Sequence, residues 1–236
     1  MKLSTVLFDL DGTLLPMDQD EFTNGYFRLL AAKMAAYGYD PRQLVRDVWA
    51  GTEAMIKNNG LQSNEAAFWQ VFSEIYGEKA QKDQALFEEF YVNEFQKARI
   101  YCSPTPKATE TVARCKAKGL RLVLATNPLF PAVATESRIR WAGLAPQDFA
   151  LYTTYENARF CKPNLDYYRE ILARLGLAPQ ECLMVGNDVI EDMTARDLGM
   201  RVFLLTDCLI NKKNVDIAAY PHGGFDELIQ YIDSIV

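Results

Sequence analysis

Asp9 and Asp11 stand one residue apart at the end of an apolar run, Val6-Leu7-Phe8-Asp9-Leu10-Asp11-Gly12-Thr13. Ionised aspartates are seldom buried without partners, so the pair is expected where a strand ends and the chain opens. Gly12 permits a sharp turn there. Alone, the stretch also suits a strand-terminating Asp-Gly turn. Three later segments supply matching parts: Thr126-Asn127-Pro128, Lys162-Pro163, and Gly186-Asn187-Asp188 with Glu191 and Asp192 one helical turn on. A carboxylate can attack phosphorus, giving an aspartyl-phosphate and dividing one hard step into two. Nucleophile and phosphate are both anionic, so both need neutralising. Lys162 supplies one positive charge against Asp9, Asp11, Asp188 and Asp192, and the deficit argues for a divalent cation. Oxygen-only ligands and partial hydration favour Mg²⁺. Thr126 and nearby backbone N–H groups would hold the phosphoryl oxygens. Asp11 can protonate the leaving oxygen and later activate the water that releases phosphate.

Two kinds of segment must position these groups. From about Asp18 to Gln96 the apolar residues recur at helical spacing in four stretches, with Asp40-Pro41 and Ser63 as helix-start signals. This predicts a small helical bundle with its aromatics as the core. After Ser103-Pro104-Thr105-Pro106 the rhythm changes. Helix, glycine and apolar strand recur: helices near 107–118, 131–141, 165–175 and 191–198, strands near 120–125, 149–153, 182–185 and 202–205, and a last helix over 225–235. That pattern predicts an α/β fold, a Rossmann-like and mostly parallel sheet. The core is expected to be discontinuous, residues 1–15 with 100–236, and the bundle (16–99) to be inserted just past the two aspartates. In such a sheet ligands bind beyond the carboxyl ends of the strands, where all four polar segments fall.

Composition narrows the class. A net charge of −6 opposes nucleic-acid binding. No apolar run approaches the roughly 20 residues that span a bilayer, and the N-terminus lacks a signal-peptide layout. Five cysteines without metal-type spacing fit a reduced, cytoplasmic setting. The single histidine, His222, leaves nothing for a His-based triad or a zinc centre. Cys161 reads as a packing residue, Glu191 as an exposed first-turn acid favoured by the helix dipole, and Arg46, Lys57 and Arg99 as solvated faces. No obligate protein partner is evident.

Together the four segments resemble the haloacid dehalogenase superfamily. Asp9-Leu10-Asp11-Gly12-Thr13 matches its first motif, Thr126-Asn127 its second, Lys162-Pro163 its third, and Gly186-Asn187-Asp188 with Asp192 its fourth. The insert after the first motif is similar to the helical cap of the phosphoglycolate phosphatase-like branch. The resemblance implies a phosphatase acting on a small phosphorylated metabolite, with Asp9 as nucleophile and Asp11 as general acid/base. It also implies that Asp9, the Asp11 backbone carbonyl and the fourth motif hold Mg²⁺, and that Thr126, Asn127 and Lys162 hold phosphate. In the family a carboxylate commonly follows the fourth-motif glycine. Here Asn187 occupies that position and Asp188 follows, so either can be the metal ligand. Asp192 is expected to act through water on the metal or to hold Lys162, with an exposed first-turn acid as the plain alternative. Rival functions are a phosphomutase and a non-catalytic receiver-like phosphoacceptor module. A dehalogenase fits less well, because the family's dehalogenases lack an acid at the position of Asp11.

Overall fold

The computed structural model describes residues 2–236. Six strands form one sheet: β1 (Thr5–Phe8), β2 (Arg121–Leu124), β3 (Leu151–Tyr152), β4 (Cys182–Gly186), β5 (Arg201–Leu205) and β6 (His222–Gly223). Their order is β3-β2-β1-β4-β5-β6, and every pairing is parallel. Successive side chains of a strand face opposite sides. Val6, Phe8, Leu122, Leu124, Leu183 and Val185 join one apolar cluster, while Leu7, Val123 and Met184 join the other. Helices cover both faces, which is why these strands carry continuous apolar runs. On the first face lie α5 (Pro106–Ala117), α6 (Ala132–Trp141) and α8 (Phe225–Ile235); on the second lies α7 (Leu165–Leu175).

The helical insert interrupts the chain between β1 and β2. It consists of α1 (Gln19–Ala35), α2 (Pro41–Ile56), α3 (Asn64–Tyr76) and α4 (Glu78–Val92), followed by a 3₁₀ segment, Glu94–Tyr101. Asp18, Asp40 and Ser63 each accept a backbone N–H of the turn they open. Asp40 takes two, from Arg42 and Gln43, at 3.0 and 2.8 Å. Losing an N-cap of this kind typically costs about 0.5–2 kcal/mol. Asp40→Ala is expected to lower unfolding free energy by about 1 kcal/mol in a denaturant titration, with Asp40→Ser losing much less.

The insert leaves and rejoins the sheet unit side by side. Met17 pairs antiparallel with Cys102, and the Ser103 N–H donates to Pro16 O at 2.8 Å. Its far end also touches the sheet unit: the N–H groups of Asn64 and Glu65 donate to Ala158 O and Tyr155 O at 2.9 and 2.8 Å. The buried Asn64 amide donates to Pro128 O at 3.3 Å.

Some sequence expectations shift. The fourth helix ends at Asn93 and gives way to 3₁₀ geometry before Phe95. The expected helix over 191–198 is a 3₁₀ segment, Met193–Leu198. The expected strand over 149–153 narrows to Leu151–Tyr152. His222, in a stretch with no apolar run, lies in the two-residue edge strand β6, paired with Leu204.

Candidate active site

β1 sits at the centre of the sheet, between β2 and β4, where the strand order reverses. That switch point opens a crevice at the strands' carboxyl ends. Asp9 follows β1 directly and is 7% exposed. Its backbone N–H donates to Val185 O at 2.9 Å, tying it to β4. Lys162 arrives from the loop before α7, almost completely buried. Its Nζ donates to Asp9 Oδ1 at 2.9 Å and to Asp192 Oδ1 at 2.6 Å. Burial alone would lower the Lys162 pKa, but the two carboxylates outweigh it and hold the ammonium well above its usual range. Asp192, 1% exposed, is therefore not a solvated acid. Burial pushes its carboxyl up, and Lys162 opposes the shift. Its second oxygen accepts the Asp188 N–H at 3.0 Å.

The fourth segment is wired tightly. Asn187 Oδ1 accepts the Thr13 hydroxyl at 3.0 Å, and its Nδ2 donates to Cys208 O at 2.6 Å. This amide lies against Gly12, whose φ of +82° and missing side chain both matter: a Cβ there would strike Asn187. Asp188 Oδ1 accepts the N–H groups of Ile190 and Glu191 at 2.7 and 2.9 Å. On the second strand's side, Thr126 is 2% exposed and its carbonyl accepts the Tyr167 hydroxyl at 2.9 Å. Asn127 is a brace: Oδ1 accepts the Lys162 N–H at 3.2 Å, and Nδ2 donates to Glu191 Oε2 at 3.0 Å.

Two residues depart from the sequence reading. Glu191, taken as an exposed acid, borders the same cavity as Asp9. Burial pushes its carboxyl up to about 7. An acid whose folded pKa is raised binds its proton more tightly when folded, so stability is lost as pH rises from the ordinary carboxyl value towards 7. Chelator-treated protein is expected to lose on the order of 3 kcal/mol across that interval through this group. In Glu191→Gln, denaturant midpoints measured from pH 4.5 to 7.5 should show a flatter profile. An identical slope in both proteins would refute the assignment.

The second is Arg138 on α6, unmarked in the sequence. It is fully buried, and its Nη1 donates to Asp11 Oδ2. The guanidinium lies 4.4 Å from the Phe130 ring centre and also reaches Thr135 Oγ1 at 3.3 Å. Burial raises the Asp11 carboxyl, Arg138 opposes that shift, and Asp9 reinforces it. Asp11 Oδ1 has no hydrogen-bond partner. The sequence gives only Arg-Ile-Arg near a helix end, where basic residues ordinarily favour the dipole.

Asp9, Asp11, Thr126, Asn127, Asn187, Asp188 and Asp192 all border one cavity of about 280 Å³, and Lys162 lies beneath Asp9. Arg46, Lys57 and Arg99 are not among its lining residues. Aromatic rings of the insert form much of its other wall, with Phe130 and Tyr155 from the sheet unit, so the insert's rings line the cavity as well as filling the bundle. Cys161 packs as expected, 1% exposed.

Residues 3–199 match the haloacid dehalogenase-like hydrolase family. The chain belongs to that family. This haloacid dehalogenase-like hydrolase is 26% identical over 203 residues to the N-acetylmuramic acid 6-phosphate phosphatase of Pseudomonas aeruginosa, covering 85% of the chain and 80% of the relative. It is similar in fold to a 2-haloacid dehalogenase from Pseudomonas syringae, with a TM-score of 0.67, 20% identity, and coverage of 99% of this chain and 100% of that one. It is likewise similar to the magnesium-bound HAD-hydrolase YfnB of Bacillus subtilis, with a TM-score of 0.58, 17% identity, and coverage of 99% and 100%. These structural likenesses establish the fold; activity has to be argued from the site. No helix among the described residues is long and apolar enough to cross a membrane.

Proposed function

We propose that this hydrolase is a Mg²⁺-dependent phosphatase that cleaves a small phosphomonoester through an aspartyl-phosphate on Asp9. The observation that carries the reading is the buried Asp9–Lys162–Asp192 chain under a cavity that also exposes Asp11. Lys162 neutralises one Asp9 oxygen and leaves the other for in-line attack on phosphorus. Thr126 and Asn127 border the place where phosphoryl oxygens would lie. Asp11, partly open to the cavity, gives its proton to the departing alkoxide. It then takes one from the water that attacks the phosphorylated Asp9, releasing phosphate and restoring the Asp9 carboxylate and the protonated Asp11. Residues 16–99 act as a cap over this chemistry and exclude water from the first step.

The donor set suits Mg²⁺. Among the described residues, no three His, Cys, Asp or Glu side chains gather into a metal centre by themselves. Asp9, the Asp11 carbonyl and the 186–188 turn would hold the ion, an oxygen-only donor set of the kind Mg²⁺ favours. Bound there, Mg²⁺ would offset phosphate charge. Asn187 has its single side-chain oxygen engaged by Thr13, whereas Asp188 has one oxygen engaged by the turn N–H groups and a second outside those bonds. We retain Asn187 as the direct ligand, since its amide oxygen keeps a second lone pair, with Asp188 as the alternative. Metal titrations of Asn187→Ala and Asp188→Ala separate the two. The carboxylate at Asp11 favours this reading over a dehalogenase, and the inserted cap favours it over a receiver-like module. The setting consistent with it is cytoplasmic, and the partner a phosphorylated metabolite.

Asp11→Asn supplies the test. With p-nitrophenyl phosphate the good leaving group needs little protonation, so the first step survives while hydrolysis of the phosphorylated enzyme slows by about 10²–10⁴-fold. Stopped-flow mixing with Mg²⁺ should show a burst of nitrophenolate near one equivalent. Steady turnover at the unaltered rate, with no burst, would exclude Asp11 from proton transfer.

A further inference from the structure

We infer that the cavity selects phosphomonoesters whose organic part is a single apolar ring system, rather than polyols, sugars or acids. The inference rests on the phosphatase reading and names its substrate class.

The cavity runs without interruption from Asp9 and Asp11 to a wall made of Phe27, Trp49, Phe68, Trp69, Phe87 and Tyr91. These rings already pack on one another. Phe27 and Trp49 centroids lie 5.4 Å apart, and Trp69 meets Phe87 edge-on at 5.6 Å. A flat apolar guest extends such an array by the same offset and edge-to-face contacts. Some polar groups at this end are already paired, while the buried Trp69 N–H has no hydrogen-bond partner among the described residues and can serve a single acceptor. The Tyr26 and Tyr91 hydroxyls are hydrogen-bonded at 3.0 Å, and the Thr52 hydroxyl donates to Val48 O at 2.9 Å. A guest with several hydroxyls would give up water and find few partners, a loss that decides specificity strongly.

Charge points the same way. Lys212 is the one basic residue lining the cavity among the described residues, and it is exposed, on the segment after β5 near Asp188 rather than among the rings. Glu88 is the charged residue on the insert's side of the lining. A second anionic group on the substrate, carboxylate or phosphate, would face rings and an acid. Size sets the upper bound: about 280 Å³ lies just below the roughly 300–1,000 Å³ usual for small-molecule sites. One ring system and a phosphate fit; a dinucleotide does not.

The test uses primary alkyl esters, so that leaving-group chemistry is nearly constant. With wild-type protein and Mg²⁺, kcat/KM is measured for ethyl, 2-phenylethyl and 2-(1-naphthyl)ethyl phosphate, glycerol 3-phosphate and 2-phosphoglycolate. Burial of a phenyl group should raise kcat/KM about 10²-fold over ethyl phosphate, and the two polar esters should not exceed ethyl phosphate. Trp49→Ala, at a half-exposed position that tolerates truncation, should cut the phenylethyl-to-ethyl ratio about fivefold to tenfold. Turnover with glycerol 3-phosphate or 2-phosphoglycolate preferred would overturn the inference and leave the phosphatase reading intact. Absence of phosphate release from every ester, p-nitrophenyl phosphate included, would remove both. Fluorescence titration with 2-phenylethylphosphonate against ethylphosphonate adds a readout independent of turnover, and equal affinities would also count against the ring chamber.

Discussion

Asp9→Asn is expected to abolish turnover and to leave the fold in place. The change keeps the side chain's shape and one acceptor oxygen for Lys162, but the amide is not a nucleophile towards phosphorus. Removing a covalent nucleophile commonly costs on the order of 10⁴–10⁶-fold in kcat, which here would take phosphate release below detection. Denaturant unfolding checks the second half of the statement. Asp9 is 7% exposed and faces a buried ammonium that keeps Asp192 as partner, so the loss in stability should be modest. Acid-quenched wild-type protein given ³²P-labelled ester should carry label, and the variant none. Activity within tenfold of wild type in a well-folded variant would exclude the covalent route.

The second large effect concerns Arg138. Arg138→Met is expected to lower unfolding free energy by about 3–5 kcal/mol, the usual penalty for removing one partner of a buried ion pair. The guanidinium is fully buried, lies over Phe130 and donates to Asp11. Without it, Asp11 keeps a desolvated carboxyl whose other oxygen already has no partner. The paired change Asp11→Asn with Arg138→Met should lose markedly less than the sum of the single changes, because no unpaired carboxylate remains. Strict additivity in thermal and denaturant unfolding would mean that the contact contributes little.

The site that contains these residues was only partly legible in the sequence. Asp9, Asp11, Thr126 and the 186–188 turn announce themselves because each follows an apolar run that must be a strand, Lys162 because its loop comes after the third strand, and the ends of parallel strands converge. Periodicity carries that much. It does not say which side of a ring faces protein and which faces empty space, so Phe68 and Trp69 read as bundle core although they also line the cavity. Arg138 lacked any signal, since a buried arginine and a solvated one look alike in a short helix. Glu191 was misread for the reverse reason: a first-turn acid ordinarily points to water, and here the cavity wall and Asn127 enclose it. β6 escaped because His222–Gly223 has no apolar run. It exists through pairing with Leu204 and Leu205, a tertiary effect.

The adjacency of Pro16 with Ser103 and of Met17 with Cys102 reaches beyond this chain's own reaction. The sheet unit meets the whole insert as a loop whose two ends are already hydrogen-bonded, and closing entropy grows only logarithmically with whatever lies between. Apart from the contacts that Asn64 and Glu65 make with the sheet unit, such a junction depends little on its contents. A shorter turn, or a foreign bundle of different size, can be spliced between the same two points while β1 and β2 keep their register. On the reading proposed above, the segment that would carry specificity is bounded by this junction, so exchanging that segment is expected to leave the sheet unit in register.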